Sequence, residues 1–242
     1  MIRTEARPGV LTITLDRAAA RNALDLDMVA GMRAALRELP AAARVVVLRS
    51  AVDGVFSLGM DLAALQQGIA RGASSPEVHA ASAAYVALLK ELSAARAITI
   101  AEVGGLAVGG GVDLLSACDL VIAGDRAAFS IAQLRKGIFP LTTSGVVIPR
   151  IGQREFLYWL LSGQNWSAER ARRAGLVSQV VPAGELPARV EALVERVLSY
   201  DGEALRLGIE AMRVAAGLPL PERLDHLGAL LALNCQIPRG GR

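Results

Sequence analysis

Lysine is almost missing from this chain, standing only at Lys90 and Lys136, so arginine supplies nearly all of its positive charge. Histidine is as scarce, at His79 and His226, and cysteine occurs only at Cys118 and Cys235. Two cysteines that far apart give neither a metal-ligand spacing nor a disulfide framework and read as buried thiols, so no metal site is expected. Neither histidine has a serine or cysteine nucleophile at motif spacing, which argues against a hydrolase triad. Aromatic residues make up 4% of the chain, and the arginines are scattered, with no basic run that has aromatic neighbours. That disfavours a nucleic-acid partner despite the formal charge of +3. Also missing is any uninterrupted apolar span of membrane length. The opening segment, MIRTEARPGVLTITLD, begins with charge and runs into a strand, so no signal peptide, no membrane partner and a cytoplasmic location are expected.

What is present is a folding composition: 53% hydrophobic and 20% charged residues over 242 positions, enough for one domain with a sizeable core, or that plus a small appendage. Runs rich in Val, Ile and Leu at Val10–Leu15, Arg44–Leu48, Ile98–Val103, Leu120–Ala123 and Val177–Val181 predict strands. Helical spacing separates them at Leu26–Leu39, Ser82–Ser93, Gly111–Cys118, Glu155–Leu161 and Ala168–Ala174. Such alternation predicts an α/β protein built by repeated crossovers. Ala63–Ala81, with Gly72, Ser74, Ser75 and Pro76, reads as a mobile excursion. Beyond Pro187 helical patterns follow at Ala188–Leu198, Gly202–Ala216 and Leu220–Leu233.

The most informative stretch is Ile98 to Asp113, ITIAEVGGLAVGGGVD, where a strand-like run empties into a glycine cluster and then a helix. Triple glycine lets the backbone bare its N–H groups at a helix N-terminus, where partial positive charge can hold a developing anion. A second glycine-broken run, VFSLGMDL, lies at Val55 to Leu62. Two such donors from separate segments suit a thioester carbonyl that becomes an enolate. The spacing GGLAVGGG is not the G-x-G-x-x-G of a dinucleotide fold, and no lysine follows to make a P-loop.

These elements, with LDRAAARNALDLDM (Leu15 to Met28) and GGLAVGGGVDLLSACDLVIAGDRAAFSIAQLRKGIFP (Gly104 to Pro140), resemble the crotonase superfamily, the enoyl-CoA hydratase/isomerase family. The likeness runs through about three quarters of the chain, more weakly from Gly152 to Val181. It implies a crotonase-like spiral of ββα repeats over residues 1–187 and a C-terminal helical trimerisation region over 188–242, assembled as a homotrimer or hexamer. It assigns the oxyanion N–H groups to Met60 and Gly110 and an acid–base carboxylate to Asp113. Asn22, Ala23 and Leu24, with Leu58 and Asp61, match the segments around the nucleotide of coenzyme A. Asn22 and Asp25 also read as turn and helix-capping residues, and Asp61 as a cap for the helix after it.

The departures from the family bear on the reaction. Where hydratases carry a second carboxylate, four residues after Phe129, this chain has Gln133, which cannot act as a base. Ile138 to Ser144 offers no carboxylate either. Asp113 would then do all the proton transfer, with Gln133 orienting a water or a substrate oxygen, in hydration, dehydration or double-bond isomerisation. Two alternatives stay open: decarboxylation of a malonyl-type thioester, which generates its own enolate, and a non-catalytic acyl-thioester binder. No separate cofactor is implied, since coenzyme A or phosphopantetheine arrives as part of the substrate. The C-terminus, NCQIPRGGR, lacks the basic, aromatic tail usual in the family. Without it coenzyme A would bind weakly or the acyl group would arrive on an acyl-carrier protein, and the run SLGMDL together with KGIFPL resembles crotonases that process carrier-bound intermediates in polyketide assembly.

Overall fold

Three successive strand–strand–helix turns build the centre of the molecule, as seen in a computed structural model that describes residues 1–61, 72 and 74–236. Ahead of them lie the hairpin of β1 (Ile2–Arg7) and β2 (Val10–Leu15), the two-residue β3 (Ala23–Leu24) and helix α1 (Leu26–Arg37). The first turn comprises β4 (Val45–Ser50), β5 (Val55–Ser57), the short β6 (Gly59–Met60) and α2 (Ser75–Ser93). The second is β7 (Ile98–Val103), β8 (Leu106–Val108) and α3 (Gly110–Ala117). The third is β9 (Leu120–Gly124), β10 (Ala128–Ser130) and, after a 3-10 turn at Gln133–Lys136, α4 (Leu141–Ile151).

Each turn gives its first strand to one sheet and its second to another. The large sheet runs β1-β2-β4-β7-β9-β12, with β12 at Gln179–Val181, and is parallel from β2 onward. The small sheet runs β11-β10-β8-β5, with β11 at Trp166–Ser167. Both faces of the large sheet are covered, which is why its strands read as nearly continuous apolar runs. Leu11, Ile13, Leu15, Val46, Leu48 and Ala101 face the main core. Val10, Val45, Val47, Ile98 and Ile100 face Val190, Val194 and Val197 of helix α7 (Leu186–Ser199). The boundary expected after residue 187 falls in the first turn of that helix.

Between α4 and α7 lie α5 (Gln153–Ser162) and α6 (Ala168–Ala174), where Trp159 stacks on Trp166 at 4.1 Å in the core. The chain ends in α8 (Gly202–Ala215) and α9 (Leu220–Gln236). Arg213 fastens α8 to the core through two hydrogen bonds to Asp119, at 2.6 and 2.8 Å, and one to the Ala95 carbonyl. Among the described residues no helix is long and apolar enough to cross a membrane.

Two expectations need correcting. Residues 75–81 are helical, because Ser74 forms a reciprocal capping box with Glu77 and Pro76 sits in the first turn. Turn-forming residue types there mark a helix start rather than a loop. The rest of the expected excursion lies mostly outside the described residues. Helix α4 lies where no helix is expected from the sequence, and Pro149 is accommodated near its end. The small sheet was also missed, its strands being only two or three residues long.

Candidate active site

The small sheet determines what meets at the site. Because β5, β8 and β10 lie side by side, with Ser57 and Phe129 both opposite Ala107, the segments leaving their C-terminal ends arrive together. Those segments carry Gly59-Met60, Gly109-Gly110 and Gln133. Glycine is what allows the approach. A Cβ on Gly59, which has φ +80°, would stand 2.5 Å from both the Gly110 nitrogen and the Val108 carbonyl oxygen. One on Gly110 would stand 3.0 Å from the Met60 nitrogen, and one on Gly111 would collide with the Ser57 carbonyl.

Residues 60 and 110 are therefore neighbours. Gly110 opens α3, so its N–H belongs to the turn that has no intrahelical acceptor. Asp61 N–H donates to the Leu24 carbonyl at 2.9 Å. Backbone donors alternate sides along an extended strand, so Met60 N–H is not the one that pairs with β3.

One helical turn on, Asp113 is 1% exposed. Its Oδ2 accepts from the Tyr85 hydroxyl at 2.9 Å and the Thr142 hydroxyl at 3.1 Å, while Oδ1 is buried without a partner. Burial raises its pKa to about 6, against the opposing pull of the Thr143, Tyr85 and Thr142 hydroxyls. The Thr143 hydroxyl faces the carboxyl, and its oxygen accepts from Gln133 Nε2 at 3.3 Å. Burial, together with the nearby Asp113 charge, lifts the Tyr85 phenol well above its ordinary value, so it serves as a neutral donor. Gln133 lies across Gly109, where a Cβ would stand 2.7 Å from Nε2, and its Oε1 is likewise buried and unpartnered.

Asn22, Ala23 and Leu24 lie behind the Met60 segment. Ala23 and Leu24 pair with Gly59 and Met60. Asn22 is fully buried at φ +55°; its side chain accepts from Arg17 N–H and donates to the Ser50 hydroxyl and the Phe56 carbonyl, which ties down the turn. Asp25 caps α1 by accepting from Met28 N–H. Asp61 pairs with Arg17 at 2.9 Å, and Arg17 also binds the Ala23 carbonyl, so the ion pair clamps the two segments together. The helix Asp61 was expected to cap lies outside the described residues. Leu58 is half-buried between β5 and β6.

Tyr85, Thr142, Thr143 and Arg17 were not singled out from the sequence. The stretch from Ile138 to Ser144 offers no carboxylate, but it does offer the hydroxyls of Thr142 and Thr143. The available signal was Tyr85 in an apolar helix, since a buried phenol requires a partner.

The profile of the Enoyl-CoA hydratase/isomerase family matches residues 5–230. The chain belongs to that family. It is 31% identical to a probable enoyl-CoA hydratase of Mycobacterium tuberculosis over 93% of this chain and 88% of that protein. It is also 31% identical to the mitochondrial enoyl-CoA hydratase domain-containing protein 2 of Mus musculus, over 93% and 83% of the two chains. Among solved structures, an enoyl-CoA hydratase/isomerase family protein from Silicibacter pomeroyi superposes with a TM-score of 0.90 at 29% identity, covering 99% of this chain and all of the other. An enoyl-CoA hydratase of Mycobacterium smegmatis gives 0.92 at 26% identity, covering 98% and 91%. The chain is thus a crotonase-fold enzyme of the hydratase/isomerase type.

Proposed function

We propose that this enzyme acts on an acyl thioester, carried on coenzyme A or on a phosphopantetheine arm, through an enolate whose oxygen rests on the N–H groups of Met60 and Gly110. The observation that carries this reading is the Met60 nitrogen lying beside Gly110 at the opening of α3, one turn from a buried carboxyl. Fixed donors in a dry site act where charge develops and need no reorganisation during reaction.

Asp113 is the acid–base group in hydration, dehydration or double-bond migration. In dehydration its carboxylate takes the α-proton, and the C–H electron pair passes into the thioester carbonyl. The enolate then expels the β-hydroxyl, which receives that proton from Asp113 and leaves as water. A carboxyl with a pKa of about 6 suits both steps near neutral pH.

The nucleotide would lie along the Asn22–Leu24 and Leu58–Asp61 segments. A homotrimer or hexamer is supported by apolar side chains left exposed on α8 and α9, among them Met212, Val214, Leu224 and Leu231.

Crotonyl, 3-hydroxyacyl and malonyl thioesters of both carrier types, followed by mass spectrometry of the products, test the reading. Addition or loss of water, or a shifted double bond, is the expected result, and Asp113→Asn should abolish it. Binding without turnover of any substrate would make the chain a non-catalytic binder.

A further inference from the structure

The opening of α3 holds two buried, unpartnered polar atoms, Asp113 Oδ1 and Gln133 Oε1, and both are acceptors. Buried polar atoms in native proteins are nearly always satisfied, so a pair of unmet acceptors calls for a donor from outside the chain. The amide is held in this orientation from behind. Its Nε2 donates to Thr143 Oγ1, and Thr143 is fully buried on α4. A flipped amide would aim Oε1 at the Thr143 oxygen and could be satisfied only if the hydroxyl proton turned away from Asp113.

Resting on the thioester reading above, we infer that Thr143 is a positioning residue that presents the Gln133 carbonyl to the substrate, so that the site accepts a neutral O–H group β to the thioester and rejects a carboxylate there. A hydroxyl, or the water that becomes one, donates to Gln133 Oε1 and meets the need directly. A malonyl carboxylate brings only acceptors, next to two acceptors already unmet, one of them on an acid that no cation among the described residues meets. Its desolvation would go uncompensated. The amide could help a carboxylate only by turning Nε2 towards it, at the loss of the Thr143 bond.

Equilibrium binding of acetyl, 3-hydroxybutyryl and malonyl thioesters tests this, with acetyl thioester reporting whether the pocket holds thioesters at all. In the parent protein 3-hydroxybutyryl is expected to bind at least about tenfold tighter than malonyl, the effect of one well-placed hydrogen bond against an unmet polar group. Thr143→Val frees the amide to flip and should shrink that ratio about tenfold, chiefly by improving malonyl binding relative to acetyl binding by the same variant. Thr143→Ser keeps the hydroxyl and should restore the parent ratio. Tighter binding of malonyl than of 3-hydroxybutyryl by the parent protein would overturn the inference. So would an unaltered ratio in a Thr143→Val protein that still binds acetyl thioester. Failure of the parent protein to bind acetyl thioester would instead remove the thioester reading, and this inference with it.

Discussion

Helix α3 carries an aspartate at its beginning and another just past its end, and the two are treated in opposite ways. Asp119 is well supplied: it accepts from Thr99 N–H, from the Thr99 hydroxyl and, on both of its oxygens, from Arg213 Nη2. The carbonyls beside it are closed as well, with Arg150 donating to those of Ser116 and Cys118. Among the described residues Asp113 meets hydroxyls but no cation, and one of its oxygens has no partner. A carboxylate meant to hold a structure is surrounded by donors that fix its place. One meant to exchange a proton is buried among neutral groups so that both states stay accessible.

Removing the carboxyl chemistry at the poor end should have the largest effect. Asp113→Asn is expected to lower kcat about 10²–10⁴-fold, the usual worth of a general acid–base group, in a protein that still binds acyl thioester. Retention of turnover would place Asp113 with Asp119 as a structural acid. Next comes the glycine contact beside it. Gly59→Ala forces a side chain into a positive φ and into the Gly110 backbone, and it should cost about 3 kcal/mol in denaturant unfolding together with most activity.

At the well-supplied end, Arg213→Ala strands a partly buried carboxylate and should cost about 2–3 kcal/mol of stability. Its kcat should stay within about twofold of the parent, because the clamp does not touch the site. A large loss of kcat would mean that the two ends of α3 are coupled.

The burial of Asp113 should also be visible in pH. Asp113 has a folded pKa of about 6, above its ordinary 3.8, so its contribution to stability is fully present below the lower value and lost as pH rises through the upper one. Asp113→Asn, which has no such loss, should gain on the parent protein by up to about 3 kcal/mol between pH 4 and pH 8. A flat difference would mean the carboxyl is not penalised by burial. The smallest effect expected is in kinetics: kcat/KM should rise with pH through about 6 as the carboxylate base forms.

The parts of the molecule that were legible in the sequence share a physical reason. Strands β2 and β7 appear at the residues expected because a doubly covered parallel strand must be apolar throughout. Gly59 and Gly110 were legible because close backbone contact excludes every other residue type. The small sheet was not, since strands as short as Val55–Ser57 and Ala128–Ser130 carry too few side chains to show a period. Tyr85 and Thr143 were hidden for another reason. A hydroxyl on an otherwise buried helix face looks like core until the carboxyl or amide opposite it is known, and those partners lie 28 residues away for Tyr85 and 10 for Thr143.

Infrared difference spectroscopy of a bound acyl thioester, labelled with ¹³C at its carbonyl, examines the two N–H groups most directly. Hydrogen bonds from Met60 and Gly110 should lower the carbonyl stretch relative to the free thioester, and Asp113→Asn, which leaves both amides in place, should keep most of that shift. A carbonyl stretch unchanged on binding to the parent protein would show that no amide reaches the oxygen, and the enolate chemistry assigned to this site would have no support.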